Sequence, residues 1–277
     1  MDLSGKVALV TGAGRGFGWG IARALARAGA EVCVTDINDD DIERTLGDIH
    51  AEGFSAIGAH LDVSELSEFE RVVEETVARW NRFDILVQNA VYMPLISFED
   101  TTPESFWRQL QVGLGGLYNG TRAAWKHFKR QGGGHIIGIA SGSSIRGYKE
   151  ETTYCAIKHA QEGFIKALAL EAEPYKIAIN TIGPGKLIKP TRLTWEELER
   201  TPEATKSSWT DPAELGKAFV WLASQPPGRF SGLRFDAGLI VDTIAAEGED
   251  FPFTPEKVTM YPEDFIERQR WMAEYPD

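Results

Sequence analysis

Apolar residues fall in short unbroken runs along most of the chain, and in its first half an amphipathic stretch follows each run. Residues 7–10, 31–35, 56–60, 85–87, 135–140 and 177–182 carry these runs and read as six strands. Residues 21–28, 39–52 and 65–80 show helical spacing, with Gly29 and Gly53 placed to stop the first two helices. Strands that are apolar throughout, rather than alternating, are buried on both faces, and strands separated by helices pair in parallel. The pattern predicts an α/β fold with a doubly wound parallel sheet in three layers, α/β/α, joined by right-handed crossovers. No repeat or low-complexity linker interrupts it, so residues 1–244 are expected to form a single domain. Two segments leave the rhythm. Residues 187–210 are rich in Thr, Glu and Trp, and residues 245–277 form a C-terminal extension with a helix expected at 262–274.

Composition changes this picture little. The chain has 277 residues, 43% hydrophobic and 25% charged, the balance of an ordinary globular protein. A formal net charge of -12 argues against nucleic acid or an anionic membrane as a partner, because both require basic surface. Cys33 sits in an apolar run and Cys155 stands alone, so no disulfide framework is expected and a reducing compartment fits. The five histidines show no ligand spacing, and no metal site is expected. The first residues lack a signal-peptide core, and no stretch nears the ~20 apolar residues of a membrane span, so a cytoplasmic protein is expected.

Chemistry enters where the first strand runs into Thr11-Gly12-Ala13-Gly14-Arg15-Gly16-Phe17-Gly18 and then a helix. Glycines let the backbone turn tightly and approach a pyrophosphate, while the helix aims free N–H groups and its positive end at the anion. Gly12, Arg15, Gly16, Phe17 and Gly18 are therefore candidate cofactor contacts. Asp36 ends the second strand, where a carboxylate accepts the hydroxyls of an adenosine ribose and repels a 2′-phosphate. Neither Ile37 nor Asn38 supplies a cation, which favours NAD over NADP, with Arg15 as the opposing feature. Asp62, Val63, Asn89 and Ala90 close the third and fourth strands, at the edge where such sheets hold ligands.

Tyr154 and Lys158 are four residues apart on an expected helix and so share one face. A phenol has a pKa near ~10, and a neighbouring ammonium favours its ionised form, which suits a general base toward an alcohol or a general acid toward a carbonyl. Ser141, at the end of the fifth strand, can hold the reacting oxygen. Singly, each has a plain structural reading as a turn, a cap or a chance pair. Together the glycine loop, Asn89-Ala90, Ser141 followed thirteen residues later by Tyr154-Cys155-Ala156-Ile157-Lys158, Pro184-Gly185 and Asp236-Ala237-Gly238 resemble the short-chain dehydrogenase/reductase superfamily, over about residues 6–238. The resemblance implies a Rossmann fold and a nicotinamide cofactor contacted also by Tyr154, Lys158, Pro184 and Gly185. It implies a catalytic tetrad of Asn, Ser, Tyr and Lys, a lid at 187–210, and a homotetramer or homodimer built on the helices that carry residues 116–129 and 154–175.

Three positions depart from the family pattern. Gly113 stands where that family has the tetrad asparagine, Val91 replaces a glycine, and Lys189 replaces a threonine that meets the nicotinamide amide, with Thr191 as a substitute. The expected substrate walls are Tyr92, Met93, Ser143, Arg146, Tyr148, Lys186, Arg192 and Trp195. Arg146, Lys186, Lys189 and Arg192 would make the pocket locally basic, which favours a polyol, sugar or sugar acid as the secondary alcohol. The leading expectation is an NAD-dependent dehydrogenase. The alternatives are a carbonyl reductase running in the opposite direction and a non-catalytic NAD-binding sensor or scaffold.

Overall fold

A computed structural model of the chain describes all residues except Thr191, Arg192, Ile266 and 268–277. Seven strands form one parallel sheet: β1 (Val7–Thr11), β2 (Glu31–Asp36), β3 (Ala56–His60), β4 (Ile85–Gln88), β5 (Gly134–Ile139), β6 (Ile177–Gly183) and β7 (Arg234–Asp236). Their order is β3-β2-β1-β4-β5-β6-β7, so the chain winds outward from β1 in one direction and from β4 in the other. The six strands expected from the apolar runs are present: four run one residue further at the C-terminal end, β3 has the expected bounds, and β5 begins and ends one residue earlier. The fold is the expected Rossmann-type α/β/α sandwich.

The reason lies in burial on both faces. Ala8 and Val10 point into one apolar layer, shared with α1 (Gly16–Arg27), α2 (Asp39–Ala51), α9 (Pro212–Ser224) and α10 (Ala237–Glu247). Val7 and Leu9 point into the other, shared with α3 (Leu66–Trp80), α5 (Gly116–Gln131) and α6 (Thr152–Ala172). Successive strand residues alternate between faces, and here both faces are core.

Before α5 the chain forms α4 (Pro103–Leu110) and then a single π-helical turn, Gln111–Gly115. Beyond β6 come two short helices, α7 (Trp195–Arg200) and α8 (Glu203–Lys206). Past α10 the extension returns along the β7 edge. The Asp236 N–H donates to Val258 O at 2.8 Å, Phe251 stacks on Trp221 with centroids 5.4 Å apart, and Phe265 meets Phe235 edge-on at 5.6 Å. Residues 262–265 and 267 are helical, and the rest of the expected terminal helix lies outside the described residues. No described helix is long and apolar enough to cross a membrane.

Candidate active site

The loops after β1 to β6 open into one cavity of about 820 Å³, within the ~300–1,000 Å³ typical of small-molecule sites. At one end lie Gly12, Arg15, Gly16 and Phe17, with Asp36 beside them. Gly12 adopts φ 59°, and a Cβ there would stand 2.8 Å from Ala90 Cα, so only glycine brings the β1 and β4 loops this close. Helix α1 begins with no side-chain cap on its N-cap residue Arg15 and no acidic residue in its first turn. Its free N–H groups therefore face the cavity rim without an internal anion.

Asp36 accepts from the Gly14 N–H at 3.0 Å and the Asn38 N–H at 3.2 Å, which aims its carboxylate at the glycine loop. Arg15 lies 3.8 Å from Asp41, a second carboxylate on the same rim. Lys189 is buried at 6% exposure, 5.0 Å from the Trp195 ring centroid, and its ammonium has no hydrogen-bond partner among the described residues. Burial, with Arg15 adding repulsion, pulls its pKa down to about 8. This lysine sits toward the glycine loop, in reach of Arg15 and Asp41 and beside the Trp195 ring that bonds Gly14 O.

The middle of the cavity holds Asp62, Val63, Asn89, Ala90 and Val91. Asn89 uses its side-chain amide to bind Thr11 O at 3.0 Å and Gly12 O at 2.8 Å, so it ties β4 to the glycine loop. Gly18 and Gly185 do not line the cavity. Gly18 lies under that tie, where a Cβ would be 2.5 Å from Asn89 Nδ2. Gly185 packs against Asp236. Asp62 accepts from Ser64 and from Arg108 at 2.8 Å. Burial alone would raise its pKa, but these hydrogen bonds outweigh it and hold the carboxyl below its ordinary range.

At the other end Ser141, Tyr154 and Lys158 meet on the cavity floor, with Pro184 nearby. Ser141 leaves β5 as the N-cap of a short 3-10 turn, and α6 presents Tyr154 and Lys158 one turn apart. Burial pushes the Tyr154 phenol up to about 12, while a hydrogen bond with the Ser141 side chain opposes the shift. The lysine does not counter the burial as the helical spacing suggested. Its ammonium is 5.5 Å from the Tyr154 ring centroid and donates instead to Ile139 O at 2.6 Å and Gln161 Oε1 at 2.9 Å. Burial also pulls Lys158 down to about 8, with Glu162 opposing and Arg234 adding to the shift.

The substrate end differs from the basic pocket expected. Met93, Ser143 and Tyr148 line the cavity with Val91, Tyr92, Pro94, Leu95, Leu187 and Ile188. Arg146 is exposed and donates to the Tyr148 hydroxyl at 2.7 Å. Lys186 is paired with Asp242 at 2.5 Å. Trp195 turns to the glycine loop, where its indole N–H donates to Gly14 O at 3.1 Å. None of these three lines the cavity, and Arg192 lies outside the described residues. Local partners capture both described cations, so the substrate end is mostly apolar. Its one carboxylate is Glu151, which accepts from Ser143 Oγ at 2.7 Å.

Five polar or charged side chains here were not singled out from sequence: Glu151, Arg108, Gln161, Glu162 and Arg234. Gln161 and Glu162 had a signal, since both are polar on a helix buried along one side. Arg234 had none, because its strand is three residues long.

A family model described as short chain dehydrogenase matches residues 6–201. The chain is 28% identical over 270 residues to (-)-trans-carveol dehydrogenase of Rhodococcus erythropolis, covering 85% of this chain and 98% of that one. It is 34% identical over 238 residues to L-fucose dehydrogenase of Bos taurus, covering 80% and 84%. Among solved structures, 3-ketoacyl-(acyl-carrier-protein) reductase from Brucella melitensis complexed with NADH superposes with a TM-score of 0.74 at 31% identity, over 85% of this chain and 97% of that chain. With the glycine loop, the strand order and the Ser141–Tyr154–Lys158 cluster on one fold, the chain belongs to the short-chain dehydrogenase/reductase superfamily.

Proposed function

We propose that the protein is an NAD-dependent dehydrogenase of neutral secondary alcohols, with Ser141, Tyr154 and Lys158 as its catalytic residues. The observation that carries this reading is their convergence on the floor of one cavity whose far end has the glycine loop and Asp36. The cofactor fits the residues present. The uncapped start of α1 and the Lys189 ammonium, which has no hydrogen-bond partner among the described residues, suit a pyrophosphate, and Asp36 suits a ribose diol. Asp36 lines the ribose end and Arg15 faces Asp41 rather than standing free, so a 2′-phosphate would meet the Asp36 carboxylate.

When bound, the oxidised nicotinamide accepts a hydride and brings a positive charge that favours tyrosinate. Tyr154 takes the hydroxyl proton as the alcohol carbon gives up its hydride, and Ser141 holds the oxygen as it becomes a carbonyl. Lys158, whose ammonium stands 5.5 Å from the Tyr154 ring centroid, would add to this favouring of tyrosinate only in the loaded site. Residues 1–244 act as one catalytic domain, the segment 187–210 serves as a lid over the substrate, and the described part of the extension, from residue 245 to Phe265, covers the β7 edge. Exposed Phe106, Trp107 and Tyr118, on α4 and α5, fit a homodimer or homotetramer interface.

The apolar walls favour a substrate that shows them an apolar ring or chain, as carveol would. A polyol is the second reading, because Glu151 offers an acceptor for extra hydroxyls. A panel of cyclic secondary alcohols, sugars and sugar acids, read by NADH absorbance with NAD and NADP in parallel, tests both. Tyr154→Phe is expected to lower kcat by at least ~100-fold while leaving NAD affinity within a few-fold. NAD binding with no turnover on any substrate class, in either direction, would mean a sensor and not an enzyme.

A further inference from the structure

The carbonyl of Gly113, in the π-helical turn, accepts from Gln161 Nε2 at 3.0 Å, and the oxygen of the same side chain accepts from the Lys158 ammonium at 2.9 Å. Both ends of the amide are used, so its orientation is fixed: only the oxygen can face an ammonium, and only the nitrogen can face a carbonyl. Gln161 is 9% exposed and Lys158 5% exposed, so water does not compete freely for either bond. Space explains why the amide comes from here. A Cβ on Gly113 would stand 2.6 Å from Ile157 Cγ2, so an asparagine at 113 is excluded unless Ile157 moves. A missing side chain at 113, a bulky one at 157 and an amide at 161 form one arrangement.

We infer that Gln161 is the positioning residue for Lys158, supplying from the lysine's own helix the amide that the π-helical turn lacks and fixing the ammonium to the Gly113 carbonyl. This rests on the reading of Lys158 as the partner of Tyr154. Two donor bonds, to Ile139 O and Gln161, hold the ammonium against the end of β5. Its third N–H is left for the cavity. The charged and titratable groups that bear on this pair are Glu162 and Arg234, acting on Lys158, and Glu151 and Cys155, acting on Tyr154. None of them replaces the bond that Gln161 makes.

Gln161→Met keeps length and bulk and removes both hydrogen bonds. We expect kcat to fall ~10-fold and the acid limb of its pH profile to move up by about one unit, with alcohol KM within about two-fold. An unchanged acid limb would overturn the inference even if kcat fell. A measurement on the cofactor-free protein separates this claim from the proposed activity. With 15N-labelled lysine, the slowly exchanging ammonium signal that disappears in Lys158→Met should broaden or vanish in Gln161→Met. If it persists unchanged there, Gln161 does not hold Lys158, whatever the enzyme turns over.

Discussion

At the scale of single residues, the carboxylate of Asp36 does two things. It fixes the glycine loop through the Gly14 N–H, and it faces the place where an adenosine ribose would lie. Hydrogen bonds to a charged acceptor contribute about 1.5–3 kcal/mol each. Asp36→Asn retains an oxygen for the Gly14 N–H and loses the charge. It should therefore raise KM for NAD by roughly 10- to 100-fold, change KM for NADP little, and narrow the preference between the two cofactors. Paired KM determinations check this, and an unchanged ratio would remove Asp36 from cofactor choice. The place of Asp36, at the end of β2 beside the glycine loop, was legible in the sequence because a strand end fixes it. The cations expected at the substrate end were not legible, because a sequence lists charges and not their partners. Lys186 is taken up by Asp242, 56 residues away, and Arg146 by a neighbouring phenol.

At the scale of elements, β1, β2, β4, β5 and β6 could be read from their apolar runs because each is buried along nearly its whole length, whereas the edge strand β3 is fully buried only at Ala56 and was read from its small and apolar residues. β7 could not, since Arg234-Phe235-Asp236 has neither a run nor an alternation. It is held by its register with β6 and by the extension bonding across its outer side. This short strand nevertheless bears on the site. Arg234 donates to Ser141 O at 2.7 Å and pairs with Glu162, while Tyr261 of the extension lies 5.4 Å from its guanidinium. Arg234 and Glu162 are 11% and 15% exposed at their side chains, so removing one leaves the other charge poorly solvated. Breaking a buried pair by removing one partner costs about 3–5 kcal/mol. Arg234→Met is expected to lose close to 3 kcal/mol in urea unfolding and to lower kcat through a looser Ser141. Stability within 1 kcal/mol of the parent, roughly the scatter of a surface change, would show that the pair and the serine contact are dispensable. The π-helical turn was likewise hidden. Its Gly113 lies against Ile157 and its carbonyl accepts from Gln161, contacts with another helix that no local sequence pattern signals.

At the scale of the whole molecule, the sheet sets a limit on acid stability through a residue far from the cavity. His135 lies on β5, 4% exposed, with Nε2 3.1 Å from Gln225 O and Nδ1 buried without a hydrogen-bond partner among the described residues. It is therefore the neutral ring, donating from Nε2. Burial pulls its pKa down to about 4, Lys6 adds to the shift, and the Gln225 bond and Asp84 oppose it. An unfolded histidine titrates near ~6.5. Between those values the unfolded chain binds a proton that the native sheet refuses, so stability is full above about 6.5 and falls as pH drops toward 4. A shift of this size corresponds to about 3 kcal/mol at most. His135→Leu gives up the Gln225 bond and loses some stability at neutral pH, yet it has no proton to refuse. Urea unfolding at about pH 7 and about pH 4.5 should show a drop smaller by about 2 kcal/mol in His135→Leu than in the parent. Other groups that titrate in this window, His127 among them, are common to both proteins and cancel in the comparison. Equal drops would mean that His135 takes up its proton within the folded sheet, and that the acid limit of the fold lies elsewhere.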